Sequence, residues 1–156
     1  MAECEHALAL DRNLASAHAL IGFGKALIGH AEETEFHVGE ALRLSPRDKA
    51  AYIWMGVAGA AKSCLGDWAQ TVVRFRRAIE ANRNYPDAYF LLAAATAWLG
   101  RLDEAHSAVK AGLALNPAYT MCRARDTRTA RSDNPKYLAQ LEPIFEGMRK
   151  AGIPGG

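Results

Sequence analysis

His30, Glu33 and His37 have the side-chain types and the spacing that could hold a metal ion in this 156-residue sequence. On a helix these three residues would place an imidazole and a carboxylate about one turn apart, as in some zinc sites. A third and a fourth ligand are not evident, because the other histidines fall in different predicted elements. We therefore predict a solvated helix face with a Glu33–His37 pair, and neither a metal site nor a cofactor site.

The cysteines offer little chemistry. Cys4, Cys64 and Cys122 lie far apart and show no CxxC spacing, which argues against a disulfide framework or a zinc knuckle. Cys64 has no histidine at a useful spacing, so we expect a buried and inert thiol. The sequence also lacks a glycine-rich phosphate loop and a GxSxG nucleophile motif. We expect no catalytic residue, and therefore a protein that is not an enzyme.

Four arginines lie within nine residues after Pro117. Such a cluster could attract a polyanion, but no aromatic residue stands among the arginines to stack on bases. The whole chain carries 19 Lys and Arg against 17 Asp and Glu, a formal charge of +2. We therefore predict structural roles for these arginines and no nucleic-acid partner. They are Arg123, Arg125, Arg128 and Arg131.

The composition predicts a helical protein. The sequence contains 31 Ala but only 11 Val and Ile together, and alanine favours helices whereas β-branched residues favour strands. The longest uncharged runs, near 51–61 and 88–100, are too short to cross a bilayer, and Glu3 and Glu5 argue against a signal peptide. We expect a soluble, cytoplasmic protein that does not bind membranes.

An internal repeat organises the sequence. The dipeptides Ile28-Gly29, Leu65-Gly66 and Leu99-Gly100 are separated by 37 and then 34 residues. We predict that each glycine ends one helix in a left-handed cap, and that an apolar helix follows. The three extra residues of the first step should lengthen a loop or a helix start before Met55. The same two steps link Gly22, Gly59 and Ala93; Thr34, Thr71 and Ala105; Ala41, Ala78 and Gly112; and Pro46, Arg83 and Pro117.

This repeat predicts pairs of helices. The small residues Gly22, Gly59, Ala93, Ala78 and Ala105 should lie where paired helices cross closely. The last helix should begin after a cap at Ser132, Asp133 or Asn134 and run from Pro135 to about Lys150, with Gly152 and Pro154 ending it. The earlier helices are predicted at about 1–11, 14–28, 31–44, 48–65, 68–82, 86–99 and 102–115.

The final helix has an apolar stripe. We expect this stripe to pack on the third repeat, towards Phe90 and Trp98, because the last repeat otherwise exposes an apolar face. Pro143 lies inside the stripe and should bend or split the helix. The stripe consists of Leu138, Leu141, Ile144, Phe145 and Met148.

The repeat resembles the tetratricopeptide repeat, whose signature runs Trp-x2-Leu-Gly-x2-Tyr, then Ala-x3-Phe, Ala and Pro. The resemblance covers residues 1 to about 119 and departs from the signature at the tryptophan. It implies an all-α, right-handed solenoid of antiparallel helix pairs: a half repeat at 1–14, repeats at about 15–48, 49–85 and 86–119, and a basic connector and capping helix at 120–156. The matching positions are His18-x2-Ile21-Gly22, Met55-x2-Ala58-Gly59 and Tyr89-x2-Leu92-Ala93, with Thr34-x3-Val38, Thr71-x3-Phe75 and Ala105-x3-Val109 in the second helices.

A second resemblance concerns the parent protein. Several segments are similar to the C-terminal repeat region of bacterial adenylate/guanylate cyclase-class signalling proteins, and of related winged-helix regulators. That resemblance implies an effector domain on the N-terminal side of the repeats. The segments are Ala41–Asp48, Ile79–Pro86, Leu99–Ala105, Ala111–Pro117 and Gly147–Pro154.

In tetratricopeptide arrays the first helix of each repeat lines a concave groove, so the resemblance implies a groove of small and aromatic residues here. None of the Lys, Arg or Asn residues that clamp carboxylates in some family members stands at these positions. We predict a non-enzymatic scaffold whose groove binds a peptide, or its own effector domain. The alternative is a self-association module that dimerises the parent effector. The predicted groove residues are Phe23, Ile53, Ala60, Asp87, Phe90, Ala94 and Trp98.

Overall fold

A computed structural model describes residues 1–156 and contains nine α-helices and no β-strand. The all-helical fold class is confirmed. No helix combines the length and the apolarity that a membrane span requires. The helices are α1 (Ala2–Leu10), α2 (Ala15–Leu27), α3 (Ala31–Leu44), α4 (Ala51–Cys64), α5 (Trp68–Ala81), α6 (Pro86–Trp98), α7 (Leu102–Leu115), α8 (Met121–Thr129) and α9 (Pro135–Lys150).

The first seven helices stack as the repeat predicts. The pairs α2/α3, α4/α5 and α6/α7 pack most closely, and successive pairs join through contacts of α3 with α4 and of α5 with α6. Helix α1 packs on α2 in the position of the second helix of a preceding pair. The larger core lies between α5, α6, α7 and the C-terminal segment, whereas a smaller one joins α2, α3 and α4.

The glycine caps that define the repeat are confirmed. Gly29, Gly66 and Gly100 have φ of 80°, 72° and 74°, a region that favours glycine. At each one the following N–H donates to the carbonyl five residues back, as His30 N donates to Lys25 O at 2.8 Å. This Schellman bond satisfies a carbonyl at the helix end and turns the chain into the second helix of the pair.

Small residues allow the paired helices to approach. A Cβ at Gly22 would lie 3.2 Å from the Thr34 carbonyl oxygen, and one at Gly59 would lie 2.9 Å from the Phe75 ring. The Thr34 hydroxyl donates to the Gly22 carbonyl at 2.9 Å, across the first pair. The corresponding small residues are fully buried: Ala41, Ala78, Ala93 and Ala105. Pro46 and Pro117 lie exposed just after α3 and α7.

The three extra residues of the first repeat step do not interrupt the stack. Six residues join α3 to α4, whereas four join α5 to α6, and α4 has 14 residues against 13 in α6. The insertion therefore lengthens the loop by two residues and the helix start by one. Helix α4 still packs on α3.

A charge cluster links the first two repeats. Glu35 of α3 forms ion pairs with Lys62 of α4, at 2.6 Å, and with Arg74 of α5. The hydrogen bond from Lys62 and the nearby Arg74 lower the pKa of Glu35 below its usual value. The cluster therefore stabilises the folded chain at neutral pH, and this contribution is lost as the pH falls through the lowered pKa of Glu35.

Helix α8 was not predicted, since its segment was interpreted as a basic connector. The Thr120 hydroxyl caps it by accepting a hydrogen bond from Arg123 N at 3.3 Å. The C-terminal tail supports the same end of the helix, because Met121 N donates to Pro154 O at 2.7 Å. Ala124 and Arg128 are its two buried residues, so its sequence lacks the apolar periodicity by which the other helices were found.

Helix α9 lies across the inner helices α4 and α6. Its cap is Asn134, whose side chain accepts from Tyr137 N at 3.0 Å, and Gly152 ends it with φ of 79°. Just before the helix, the Ser132 hydroxyl donates to Leu27 O at 2.7 Å and so attaches this end to the first repeat. Its apolar stripe is buried on the third repeat, as predicted, and also reaches the second.

Of the two predicted effects of Pro143, a bend or a split, the split is wrong, because α9 continues from Pro135 to Lys150; a bend at Pro143 stays a prediction. Proline removes the hydrogen bond to the carbonyl four residues back, which is that of Ala139. Both Pro143 and Ala139 are exposed, so solvent can bond to that carbonyl and the helix continues.

Gly147 sets the closest approach of α9 to the repeats. A Cβ at this position would lie 2.8 Å from the Ala94 carbonyl oxygen and 2.7 Å from Cδ1 of Trp98. The first of these is a backbone atom of α6, which cannot move aside without displacing the helix. Only glycine fits at this crossing.

We expect Gly147→Ala to lower the free energy of unfolding by about 1–3 kcal/mol, because the added methyl group forces α9 away from α6. The measurement is urea denaturation followed by far-UV circular dichroism. The matched control is Gly39→Ala, in the middle of α3, where a Cβ would meet nothing within 4 Å. That change should stabilise the chain by about 0.5–1 kcal/mol. Equal effects of the two substitutions would contradict the close crossing.

Replacing Ala78, which is fully buried in α5, with leucine should overpack the crossing and cost about 1–3 kcal/mol. The same change at Ala69, exposed near the start of α5, should stay within about 0.5 kcal/mol. Thermal unfolding of both variants checks the difference. Similar melting temperatures would mean that the assigned repeat register does not describe the packing.

Candidate functional site

An apolar groove of about 700 Å³ runs along the inner surface of the solenoid. The first helices of the three pairs, α2, α4 and α6, form its floor and one side, and α8 and α9 form the other side. Of its 22 lining residues, 16 are hydrophobic, so its surface suits apolar side chains. Leu20 and Ile53 remain 57% and 42% exposed there, which shows that the groove is open to solvent.

Four of the predicted groove residues line this groove: Phe23 of α2, Ile53 and Ala60 of α4, and Asp87 of α6. They come together because the repeat register places corresponding positions of the first helices on one surface. The structure adds lining residues that the register did not indicate, from the inner helices and from the C-terminal segment. They are Leu20, Trp54, Tyr85, Tyr137, Leu141 and Ile144.

The other three predicted residues, Phe90, Ala94 and Trp98, do not line the groove. Phe90 is fully buried and stacks on Tyr119, with 3.6 Å between ring centroids. Ala94 is also buried, beneath Gly147 of α9. All three lie on the inner helix α6, but the C-terminal segment covers that part of its surface. The expected position on an open groove is therefore corrected for these residues.

Trp98 holds α9 in place. Its Nε1 donates to the Pro143 carbonyl oxygen at 2.7 Å, and its ring stacks on Trp68, with 5.5 Å between centroids. The Lys150 ammonium lies 3.5 Å from the ring centroid, at cation–π distance. The indole therefore joins α6 to α5 and to two turns of α9, which is a structural role.

The floor of the groove is closed where α4 meets α6. The Tyr85 hydroxyl approaches so near to Gly56 that a Cβ there would lie 2.8 Å from it. The Tyr85 ring packs edge-to-face on Tyr52, with 5.2 Å between centroids, and burial raises the pKa of Tyr85. Tyr85 is therefore neutral at physiological pH and contributes an uncharged surface to the groove.

Two cations that the repeat register does not indicate lie in α8 and in the turn that follows it. Arg128 and Arg131 line the groove, and they also line an adjoining cavity of about 260 Å³. Burial opposes the charge on Arg128, but Tyr119 and Asp87 raise the pKa of its guanidinium above the usual value. Arg128 therefore remains charged, although it is only 6% exposed. No signal within the repeats could have revealed these residues, since both lie outside them.

The other two arginines of the cluster, Arg123 and Arg125, lie in different surroundings and do not line the groove. Arg125 forms an ion pair with Glu142 of α9 at 2.7 Å, and its guanidinium lies 4.3 Å from the Phe145 ring centroid. This is the structural use predicted for the cluster. Arg123 lines the smaller cavity only.

The candidate metal residues are not assembled into a site. Glu33 pairs with Lys25 at 2.7 Å and with His30 at 3.1 Å, so the predicted Glu33–His37 pair is corrected. His37 instead faces His18, with 6.0 Å between ring centroids, and burial lowers its pKa. The structure contains no group of three or more His, Cys, Asp or Glu placed to hold a metal ion.

Cys64 lies in the groove wall, where burial raises the pKa of its thiol to about 11. Since the thiolate is the reactive form of cysteine, this thiol is unreactive at neutral pH, as predicted.

The chain is similar to known proteins in sequence over part of its length and in fold over nearly all of it. A family model described as "Tetratricopeptide repeat" matches residues 65–124. No curated protein matches the sequence. Several solved structures match the fold over nearly the whole chain. MamA has a TM-score of 0.68 at 18% identity, covering 95% of this chain and 84% of that one.

Two further structures are similar to the same extent. PilW, described as a widely conserved type IV pilus biogenesis factor, has a TM-score of 0.70 at 17% identity, covering 95% of this chain and 70% of that one. YrrB, described as a TPR protein with an unusual peptide-binding site, has a TM-score of 0.64 at 24% identity, covering 94% and 75%. Together with the helix pairs and their glycine caps, these matches show that the chain has the fold of tetratricopeptide-repeat solenoids.

Proposed function

We propose that this chain is a non-enzymatic scaffold that binds a peptide segment of a partner protein in its inner groove. The observation that carries the proposal is the open apolar groove of about 700 Å³ along α2, α4 and α6. Apolar side chains that remain as exposed as Leu20 and Ile53 gain stability when a partner covers them. A groove between helices that leads to solvent suits an amphipathic or extended peptide.

Two further observations support a binding role. Burial holds Cys64 and Tyr85 in their neutral forms, so both give the groove an uncharged surface that suits an apolar peptide side chain. YrrB, which shares the fold, is described as having a peptide-binding site.

The resemblance to cyclase-class signalling proteins supplies one candidate source of the peptide, an N-terminal effector domain of the same protein. All three cysteines are free, in keeping with a reducing cytoplasmic setting.

The groove can be tested with peptides selected from a random 12-residue library displayed on phage and then synthesised with a fluorescent label. Ile53→Gln should weaken binding of a selected peptide by about 10-fold or more, because the change removes apolar contact area from the groove. Fluorescence polarisation measures the dissociation constant.

Val73→Gln is the matched control for this test. Val73 is 42% exposed, as is Ile53, but it lies on the second helix α5 and does not line the groove. It should leave peptide binding within about twofold. If the library yields no binding peptide, or if both variants weaken binding equally, the proposed function fails.

Self-association is a second candidate, favoured by apolar side chains at the N-terminal end of the stack. Leu10 and Phe36 are 78% and 68% exposed, and α1 has no buried residue. In sedimentation velocity we expect a dimer that forms as the concentration rises, and Leu10→Ser with Phe36→Ser should abolish it. A monomer at every concentration would exclude this candidate and leave the peptide-binding proposal intact.

A further inference from the structure

Arg128 is buried and charged, and it forms no ion pair. Its side chain is 6% exposed, its Nε has no hydrogen-bond partner, and no carboxylate lies within ion-pair distance of its guanidinium. The neighbouring hydroxyl of Tyr119 raises the pKa of the guanidinium, but it is buried and makes no hydrogen bond of normal geometry. Taking a cation out of water is costly unless an anion or hydrogen-bond acceptors replace the solvent. An anion that reached this guanidinium would therefore be strongly favoured.

The guanidinium can be reached from the groove. Arg128 lines both the large groove and the adjoining cavity, so it lies where the two spaces meet. Arg131 follows it by three residues, lines the same two spaces and is exposed at their edge. Arg123 lines the smaller cavity from the same helix. The two spaces thus share two arginines, Arg128 in the last turn of α8 and Arg131 just after the helix.

The carboxylates of the groove do not neutralise this pair. Asp87 is the carboxylate that faces Arg128, but it forms no ion pair with it, and it lies in the first turn of α6, where the helix dipole favours a negative charge. Asp48 accepts a hydrogen bond from Ala50 N at 2.7 Å at the other side of the groove. The acids of the groove therefore have local stabilisation of their own, and neither of them forms an ion pair with Arg128 or Arg131.

We propose that Arg128 and Arg131 form a carboxylate-binding site at the side of the groove, and that the partner peptide carries an Asp or Glu side chain next to its apolar residues. The fork of N–H donors on a guanidinium matches a carboxylate, and a charge-assisted bond of this kind is stronger in a partly desolvated site. The inference deepens the proposed function and rests on it. It assigns the positive charge to α8 and the turn after it rather than to the repeats.

The library selection tests this site directly. Peptides are selected in parallel against the wild-type chain, against Arg131→Gln and against Arg77→Gln. Arg131 is exposed, so its replacement should leave the fold intact, which thermal unfolding checks. Arg77→Gln is the matched control, because Arg77 is an exposed arginine of α5 outside the groove and its loss changes the net charge equally. We expect enrichment of Asp and Glu with the wild type and with Arg77→Gln, and reduced enrichment with Arg131→Gln.

Two peptides that differ only in the charge of one side chain then separate binding at this site from nonspecific electrostatic attraction to the positively charged chain. The best peptide is synthesised with its acidic residue and with the neutral amide in its place, Glu→Gln or Asp→Asn. On the wild type the amide should bind about 10-fold more weakly or worse, and on Arg131→Gln the two peptides should differ by less than about threefold. Arg131→Lys should restore part of the preference, since it keeps the charge without the fork.

The outcomes distinguish this inference from the proposed function. Selected peptides that bind the groove without any acidic preference overturn the carboxylate site and leave the peptide scaffold standing. The same holds if the acid and amide peptides differ equally on the wild type and on Arg131→Gln. A library that yields no binding peptide at all overturns both.

Discussion

The close contact between α9 and α6 at Gly147 is the constraint on which the inner surface of the solenoid depends. Gly147 lies directly on the Ala94 carbonyl and the Trp98 ring, and Trp98 donates a hydrogen bond to the Pro143 carbonyl. A side chain of any size at position 147 would lift the C-terminal helix from the third repeat. The apolar stripe of α9 would then lose its partner, and the inner side of α6 would be exposed to water.

The same contact determines what kind of groove the chain has. Because α9 covers the surface of α6 around Ala94 and Trp98, the open space is confined to α2, α4 and the beginning of α6. The opposite wall comes from outside the repeats, through Tyr137, Leu141 and Ile144. The capping helix therefore protects the end of the stack and also shapes the binding surface. Any change that loosens the cap should alter the groove as well as stability.

The repeats could be predicted because their signals are local. The cap glycines Gly29, Gly66 and Gly100 are required by a backbone conformation that involves only a few neighbouring residues, and the register of small residues follows from two helices that are adjacent in sequence. These signals located seven helices to within a few residues, and the capping signal at Asn134 located α9.

Helix α8 and the exact extent of the groove could not be predicted in this way. Helix α8 is held by Thr120, by the tail at Pro154 and by burial of Arg128, and none of these gives an apolar repeat in the sequence. Phe90 and Trp98 stand at positions of an inner helix, which the register does predict. Whether such a position is open depends on contacts with Tyr119 and Pro143, which are distant in sequence. Register assigns a residue to a surface, and only tertiary packing decides whether that surface is free.

Arg128 and Arg131 show how repeat register and tertiary packing together determine the groove. The repeat register places no cation at the groove positions of the inner helices and predicts a groove of small and aromatic residues with Asp87 at one position. The fold then brings Arg128 and Arg131 to that groove from α8 and the turn after it, outside the repeats. Burying Arg128 without an ion pair is unfavourable for the free chain. Packing of Tyr137, whose hydroxyl donates to the Arg128 carbonyl at 3.0 Å, keeps the helix in place despite that cost. The stability of the C-terminal packing thus keeps the charged Arg128 at the side of the groove, which the repeats alone could not do. This cation would let an otherwise apolar groove distinguish acidic partner peptides from neutral ones.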